Sequence, residues 1–270
     1  MIFAIGFGFI VLSLLLKLRS TTLLATGIVV MVFSGILPLL ALSQQNVVAA
    51  ILNALFQPAF VPLSDKHSLI YGYPPLPWLA IMLIGFGSAR IFLKEAVSVR
   101  RICVRTGLIL IAAFLFLRAI NIYGDGTPWS YQKSSAFTFI SFLNVNKYPP
   151  SLQYTLLFLG FMFLLLALFT NSRNRFSGIL AVYGKVPLFF YLVHWYLIHA
   201  ALILVILASG FSVGDLAFGF NFGRPQEFKA FFLPVVYGVW ILAILVLYPL
   251  CKWYGVYKAA HRNNRWLSYL

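Results

Sequence analysis

The chain has 270 residues, of which 62% are hydrophobic and only 9% charged, and its net charge is +15. Soluble domains contain roughly 25% charged residues, so this composition excludes an ordinary water-soluble domain. A helical membrane crossing needs about 20 mostly apolar residues, with its backbone polar groups paired inside the segment. The apolar runs are long and do not alternate with polar residues, and they therefore predict an all-α transmembrane helix bundle.

Seven apolar spans are predicted, at residues 2–16, 21–42, 76–93, 106–122, 151–170, 186–208 and 232–251. Apolar sequence starts directly after Met1, without the charged segment of a signal peptide, which indicates a first helix that is entered partway along. If every span crosses, 14 of the 20 basic residues lie on one side, namely Lys17, Arg19, Arg90, Lys94, Arg100, Arg101, Arg105, Arg173, Arg175, Lys185, Lys252, Lys258, Arg262 and Arg265.

This asymmetry of charge predicts the orientation of the chain. Basic residues concentrate in cytoplasmic loops, so the C-terminal tail is expected in the cytoplasm. Membrane topology thus accounts for the positive net charge, which argues against a nucleic-acid partner. We therefore expect a multi-pass protein of the cell membrane, with the lipid bilayer as its main partner and residues 1–270 as a single transmembrane domain. A homodimer is an open alternative to a monomer.

Three predicted outer loops, at residues 43–75, 123–150 and 209–231, are longer than a tight turn requires. The first contains an apolar stretch, Val47 to Phe56, which is too short to cross and is expected to lie in the interface or to re-enter the membrane. Loops of this length either connect helices or cover a substrate site, and the sequence leaves both interpretations open.

Two histidines, His194 and His199, lie within the sixth predicted span. Ionisable groups at membrane depth are costly and generally face the bundle interior or a water-filled cavity. Their spacing of five residues turns them about 140° apart on a helix, which argues against a shared metal site. His194 is the candidate catalytic residue, as a general acid or base near neutral pH. The alternative is a neutral histidine that hydrogen-bonds a neighbouring helix.

Polar residues near the second outer loop are candidate substrate-binding groups. Asp125 lies in a Gly-Asp-Gly stretch that is typical of a turn, and its carboxylate is also suited to binding a cation or orienting a base. Asn144 and Lys147 precede the fifth span, where a lysine can meet an anionic group such as a phosphate or simply extend to the interface. Arg118, near the outer end of the fourth span, carries the same two alternatives.

The sequence lacks a nucleotide-binding glycine loop, a His-Glu-x-x-His motif and a nucleophile elbow. Its two cysteines, Cys103 and Cys251, are expected next to cytoplasmic helix ends and indicate neither a disulfide framework nor a metal site. No metal is predicted.

Five stretches occur together in a familiar order. They are Tyr73-Pro-Pro-Leu-Pro-Trp78, Asn121-Ile-Tyr-Gly-Asp125, Phe142-Leu-Asn-Val-Asn-Lys-Tyr-Pro-Pro-Ser-Leu152, Tyr183-Gly-Lys-Val-Pro-Leu-Phe-Phe-Tyr-Leu-Val-His194 and Arg265-Trp-Leu-Ser-Tyr-Leu270. This set resembles the bacterial membrane protein family related to heparan-alpha-glucosaminide N-acetyltransferase, over essentially the whole chain.

The resemblance implies transmembrane acyl transfer from cytoplasmic acetyl-CoA to an amino or hydroxyl group of a glycan or lipid-linked sugar at the outer face. It also implies a histidine deep in the membrane as base or acyl carrier, and His194 matches a family position in a late helix. The family's early helices carry an Asp-His pair that is absent from this sequence, which predicts that the chain corresponds to the C-terminal portion of a larger domain. The alternative function is a membrane transporter or a structural membrane partner.

Overall fold

The structure is a computed structural model that describes residues 2–36, 53–64, 67–172, 174–218, 222–229, 231–261, 263–264 and 267. The chain forms two compact units, Met1–Asn171 and Ser172–Leu270. The single transmembrane domain over residues 1–270 stays a prediction.

The first unit is built mainly from helices. In chain order its elements are α1 Ile2–Leu15, α2 Ser20–Ile36, β1 Ala59–Ser64, β2 His67–Tyr71, α3 Pro75–Ser88, a 3-10 turn Ala89–Leu93, α4 Ala96–Ile120, α5 Ser135–Leu143 and α6 Leu152–Phe169. The two strands pair antiparallel as a hairpin in which Phe60 lies opposite Ile70. The second unit consists of α7 Arg175–Lys185, α8 Pro187–Ala208, a 3-10 turn Val213–Asp215 and α9 Leu233–Ala260.

Five helical segments among the described residues are long and apolar enough to cross a membrane: Pro75–Leu93, Ala96–Ile120, Leu152–Phe169, Pro187–Ala208 and Leu233–Ala260. Large apolar side chains on these helices are exposed, such as Phe116 on α4 and Leu245 on α9. Exposed apolar surface of this extent is favourable only in contact with lipid or another apolar partner. The prediction of an apolar helical membrane protein is thus confirmed.

Several predicted connections contain regular structure. Helix α4 begins at Ala96 rather than at residue 106, so Arg100, Arg101 and Arg105 lie on a helix, where arginine has high propensity. Helix α9 likewise continues to Ala260. Helices α5 and α7 lie in stretches predicted as loops, and the hairpin occupies part of the predicted loop 43–75. In that loop residues 53–56 are helical, whereas residues 47–52 of the apolar stretch lie outside the described residues.

The first unit is held together by two close helix pairs, α2 with α3 and α4 with α6. Glycines lie at both contacts. A β carbon on Gly87 of α3 would lie 2.6 Å from the backbone nitrogen of Leu24, and one on Gly107 of α4 would lie 2.9 Å from the carbonyl oxygen of Gly160 on α6. Such contacts let helix backbones approach closely, as is common between membrane helices. In the second unit, Val186, Leu247, Cys251 and Tyr254 form the core.

Candidate functional site: a polar cluster around Arg118 and Asp125

The loop that follows α4 is fixed at its start by Asn121. This residue adopts the left-handed conformation, with φ of 58°, and ends the helix. Its side chain then exchanges two hydrogen bonds with the backbone of Trp129: Nδ2 donates to the carbonyl oxygen at 2.9 Å, and Oδ1 accepts from the backbone N–H at 2.9 Å. The indole N–H of Trp129 donates to the carbonyl oxygen of Arg118 at 2.8 Å. The loop is therefore folded back onto the end of α4.

Arg118 lies in the last turn of α4 and is only 1% exposed. Three of its hydrogen bonds go to carbonyl oxygens at the C-terminus of α5: Phe142 at 2.7 Å, Ser141 at 3.0 Å and Asn144 at 2.7 Å. The last carbonyls of a helix have no partner within the helix, and a cation there is favourable. Nη1 also donates to the carbonyl oxygen of Thr127 and to the side-chain oxygen of Gln153, both at 3.1 Å.

These contacts use all five N–H groups of a guanidinium. Arg118 therefore joins α4, the loop, α5 and α6, and every donor it has is engaged by the protein itself. The structure assigns Arg118 to positioning the loops, and its direct contact with a substrate stays a prediction.

Asp125 is similarly surrounded by donors. One carboxylate oxygen accepts from the backbone N–H of Thr127 and from Nδ2 of Asn146, both at 2.9 Å. The other accepts from the backbone N–H of Asn146 at 2.9 Å and from the hydroxyl of Ser151 at 2.7 Å. The bond to Thr127 is the turn that the Gly-Asp-Gly pattern predicts, while the bonds to Asn146 and Ser151 connect two segments about 20 residues apart.

The cluster also includes two polar residues that the sequence did not indicate as site residues, Ser151 and Gln153. Ser151 caps the N-terminus of α6, accepting from the backbone N–H of Tyr154 while donating to Asp125. Gln153 is 2% exposed, and its amide donates to the carbonyl oxygen of Tyr123 at 2.7 Å. The sequence signal for Gln153 is a glutamine at the start of an apolar span. A buried amide requires hydrogen-bond partners, which here lie on other segments.

Tyr123 extends these contacts to α2. Its hydroxyl donates to the carbonyl oxygen of Val32 at 2.7 Å, and burial raises the pKa of this phenol above its ordinary value. The hydroxyl thus keeps the proton that this hydrogen bond requires. A cleft of about 60 Å³ opens beside the same loop, lined by Asp125, Asn146 and Ser151 together with Ser34 and Gln57. This volume is enough for a water or two but not for a sugar ring.

Asn144 and Lys147 differ from Arg118 and Asp125 because both are exposed. Lys147 lies beside the ring of Tyr148, with Nζ 5.1 Å from the ring centroid. A hydrogen bond with the Tyr148 side chain raises the pKa of Lys147, against a smaller opposing effect of partial burial. Lys147 is therefore a cation throughout the neutral range. These two residues are the predicted substrate-binding groups that present side chains outside the hydrogen-bonded cluster.

His194 belongs to the second unit, whereas the other four predicted site residues belong to the first. It is half-buried on α8, with its ring stacked on Phe190 at a centroid distance of 5.3 Å. Nδ1 lies 3.1 Å from the carbonyl oxygen of Phe190, one turn earlier in the same helix. A carbonyl oxygen only accepts, so this contact places the proton on Nδ1 and leaves the lone pair of the neutral ring on Nε2.

His199 makes the same kind of bond, with Nδ1 2.7 Å from the carbonyl oxygen of Trp195. Both histidines thus bond within their own helix, and neither bonds a neighbouring helix among the described residues. Among the described residues, no three His, Cys, Asp or Glu side chains come together as metal ligands would.

Comparison with known proteins adds no relative: this chain matches no family model, no curated protein and no solved structure.

Proposed function

We propose that this protein is a membrane-embedded acyltransferase that moves acetyl from cytoplasmic acetyl-CoA to a sugar or glycan at the outer face. The resemblance of five sequence stretches supplies the reaction class. One structural observation supports it: two of those stretches, Asn121–Asp125 and Phe142–Leu152, meet in one hydrogen-bonded cluster.

On this proposal, the hydrogen-bonded residues of the cluster and the exposed residues beside it have separate tasks. Arg118 and Asp125 hold the loops, since their hydrogen-bonding groups are engaged by the protein. Lys147 and Asn144 remain candidate substrate-binding groups, because both are exposed and Lys147 carries a positive charge. A lysine at this position suits an acceptor that bears a phosphate or a carboxylate.

His194 is the proposed general base. The acceptor's amino or hydroxyl group attacks the acetyl carbonyl carbon, a new C–N or C–O bond forms, and the C–S bond to CoA breaks. Nε2 of His194 takes the proton that the acceptor loses and returns it to the departing thiolate. The hydrogen bond from Nδ1 to the Phe190 carbonyl supports this role, since it leaves Nε2 as the basic nitrogen.

The proposal includes seven crossings with the C-terminus in the cytoplasm. Five segments meet the length for a crossing, and α1 and α2 supply the remaining two. At about 1.5 Å per residue, the 14 residues of α1 extend about 21 Å and the 17 residues of α2 about 26 Å. A helix shorter than the hydrocarbon core is accommodated by local thinning of the bilayer.

The test is acetyl transfer from radiolabelled acetyl-CoA to a glycan acceptor in membranes that contain the protein. We expect His194→Gln to lower the rate about 100-fold or more, the range for loss of a general acid–base group. His199→Gln is the matched control, because His199 lies on the same helix with the same kind of backbone bond, and it should retain activity.

Unchanged transfer in His194→Gln removes this residue from the mechanism. If the wild-type protein transfers no acetyl and vesicles take up the acceptor without acetyl-CoA, the protein is a transporter and not an acetyltransferase.

A further inference from the structure

The second unit contains a wide groove between α7 and the C-terminal part of α9, with a volume of about 700 Å³. Its rim carries the side chains of Lys185, Lys252, Lys258 and His261. Its lining also includes apolar residues, namely Val182, Val256 and Leu267, together with Gly255. The groove therefore combines basic and apolar lining residues, which is the pattern that an amphiphile requires.

The basic rim has no acidic residue close to it in the chain. Residues 172–270 contain two acids, Asp215 and Glu227, and both lie in the stretch between α8 and α9. The groove is at the opposite end of α9. Along the helix axis, Lys258 lies about 38 Å from Leu233, where α9 begins, at 1.5 Å per residue. Three lysines on one groove repel one another, and an external anion relieves this repulsion.

The position of the groove along α9 corresponds to the headgroup region. Helix α9 has 28 residues and extends about 42 Å, longer than a hydrocarbon core of about 30 Å. Its first charged residue is Lys252, which follows the apolar run from Leu233 to Cys251. Trp253 and Tyr257, both exposed, follow directly, and exposed aromatic residues of this kind anchor a helix at the membrane interface.

Exposed apolar side chains precede the groove along α9. Leu245, Val246 and Leu250 on α9 are exposed large apolar side chains that precede Lys252. Acyl chains can follow this surface while a headgroup remains at the groove. A soluble anion would use the lysines but would gain nothing from the exposed apolar residues.

We propose that this groove binds an anionic phospholipid, with the phosphate among Lys185, Lys252 and Lys258 and the acyl chains along α9. His261 also lines the groove, and its Nδ1 donates to the carbonyl oxygen of Tyr257 at 3.0 Å, so the lysines are the groups that bind the phosphate. This lipid site is independent of acyl transfer: it concerns α7 and the end of α9, and it needs neither His194 nor the Arg118 cluster.

The experiment is native mass spectrometry of the purified full chain in detergent, titrated with dioleoyl-phosphatidylglycerol or dioleoyl-phosphatidylcholine. We expect tighter binding of phosphatidylglycerol. The double variant Lys252→Gln/Lys258→Gln should weaken that binding at least about tenfold. Each lysine near an anionic surface increases the affinity about fivefold. The variant Lys252→Arg/Lys258→Arg keeps the charge and should retain it.

The matched control is Lys133→Gln/Lys229→Gln, which removes the same charge from two exposed lysines outside the groove and should leave phosphatidylglycerol binding unchanged. Equal affinity for the two lipids, or an equal loss in the control, overturns the proposal. Inorganic pyrophosphate or CoA that displaces phosphatidylglycerol completely at micromolar concentration also overturns it, in favour of a soluble-anion site. Melting temperatures of all variants confirm that each remains folded.

Discussion

Among the described residues, the buried charge of Arg118 is stabilised by hydrogen bonds rather than by a direct ion pair. Its acceptors are four backbone carbonyl oxygens and the side-chain oxygen of Gln153. Removing a charge from water is costly, and several good hydrogen bonds are needed to offset the cost. Three of these carbonyls end α5, where the helix dipole adds a further favourable contribution. The cluster thus depends on the planar, five-donor geometry of arginine.

We predict that Arg118→Lys destabilises the protein although the charge is kept. A lysine ammonium has three N–H groups in place of five, so buried carbonyl oxygens lose their donors. Each hydrogen bond that involves a charged group contributes about 1.5–3 kcal/mol, so a loss of about 3 kcal/mol or more is expected. Thermal unfolding in detergent, followed by tryptophan fluorescence, measures it.

Lys147→Gln is the control for that experiment, since Lys147 is exposed and substitutions at exposed positions usually change stability by less than about 0.5 kcal/mol. Similar melting temperatures for Arg118→Lys and Lys147→Gln would contradict the anchoring role of Arg118.

At the scale of elements, the first unit depends on close approach of helix backbones. Gly27 and Gly87 lie where α2 meets α3, and Gly107 and Gly160 lie where α4 meets α6. Lipid is as apolar as leucine, so membrane helices associate through tight packing rather than through a hydrophobic driving force. Glycine at the contact permits that packing because it has no β carbon.

We expect Gly87→Ala to destabilise the first unit. The new methyl group would lie within 2.8 Å of the Leu24 backbone, so α2 and α3 must move apart. Overpacking of this kind costs about 1–3 kcal/mol. Gly85→Ala is a closely matched control on the same helix, because a β carbon on Gly85 meets nothing within 4 Å. The measurement is the unfolding midpoint of both variants in detergent, and equal midpoints would contradict the packing role.

At the scale of the whole molecule, composition and helix length require a membrane, while the distribution of lysine and arginine predicts which face is cytoplasmic. The two native cysteines, Cys103 and Cys251, are both buried and so unreactive toward a bulky reagent. Single cysteines introduced at exposed positions can therefore report sidedness without altering the native ones.

We predict that Lys133→Cys reacts with a membrane-impermeant maleimide in intact cells, because residue 133 lies in the outer loop of the proposed topology. Ala260→Cys, at the exposed end of α9, should react only after permeabilisation. Gel-shift labelling distinguishes the two positions. The reverse labelling pattern would show that the topology is inverted. Labelling of both cysteines in intact cells would exclude an odd number of crossings between residues 133 and 260.

The sequence by itself determined the membrane class and the approximate positions of five long apolar helices, because long apolar runs have one stable solution in lipid. It also identified Arg118, Asp125, Asn144 and Lys147 as polar residues worth attention. It missed α5, α7 and the true start of α4, since short amphipathic helices and basic helix ends resemble loops in a hydropathy pattern. Element boundaries depend on capping and tertiary contacts that composition does not contain.

Only the tertiary structure decided which of those polar residues are engaged and which are exposed. Arg118 and Lys147 are both cations near the end of a predicted span, yet one is buried with five hydrogen bonds and the other is exposed. The difference arises because the carbonyls at the end of α5, the loop at Thr127 and the amide of Gln153 converge on Arg118 from distant parts of the chain. Hydropathy and spacing describe each segment separately, whereas the number of hydrogen bonds that a buried polar group makes depends on which segments meet in the fold.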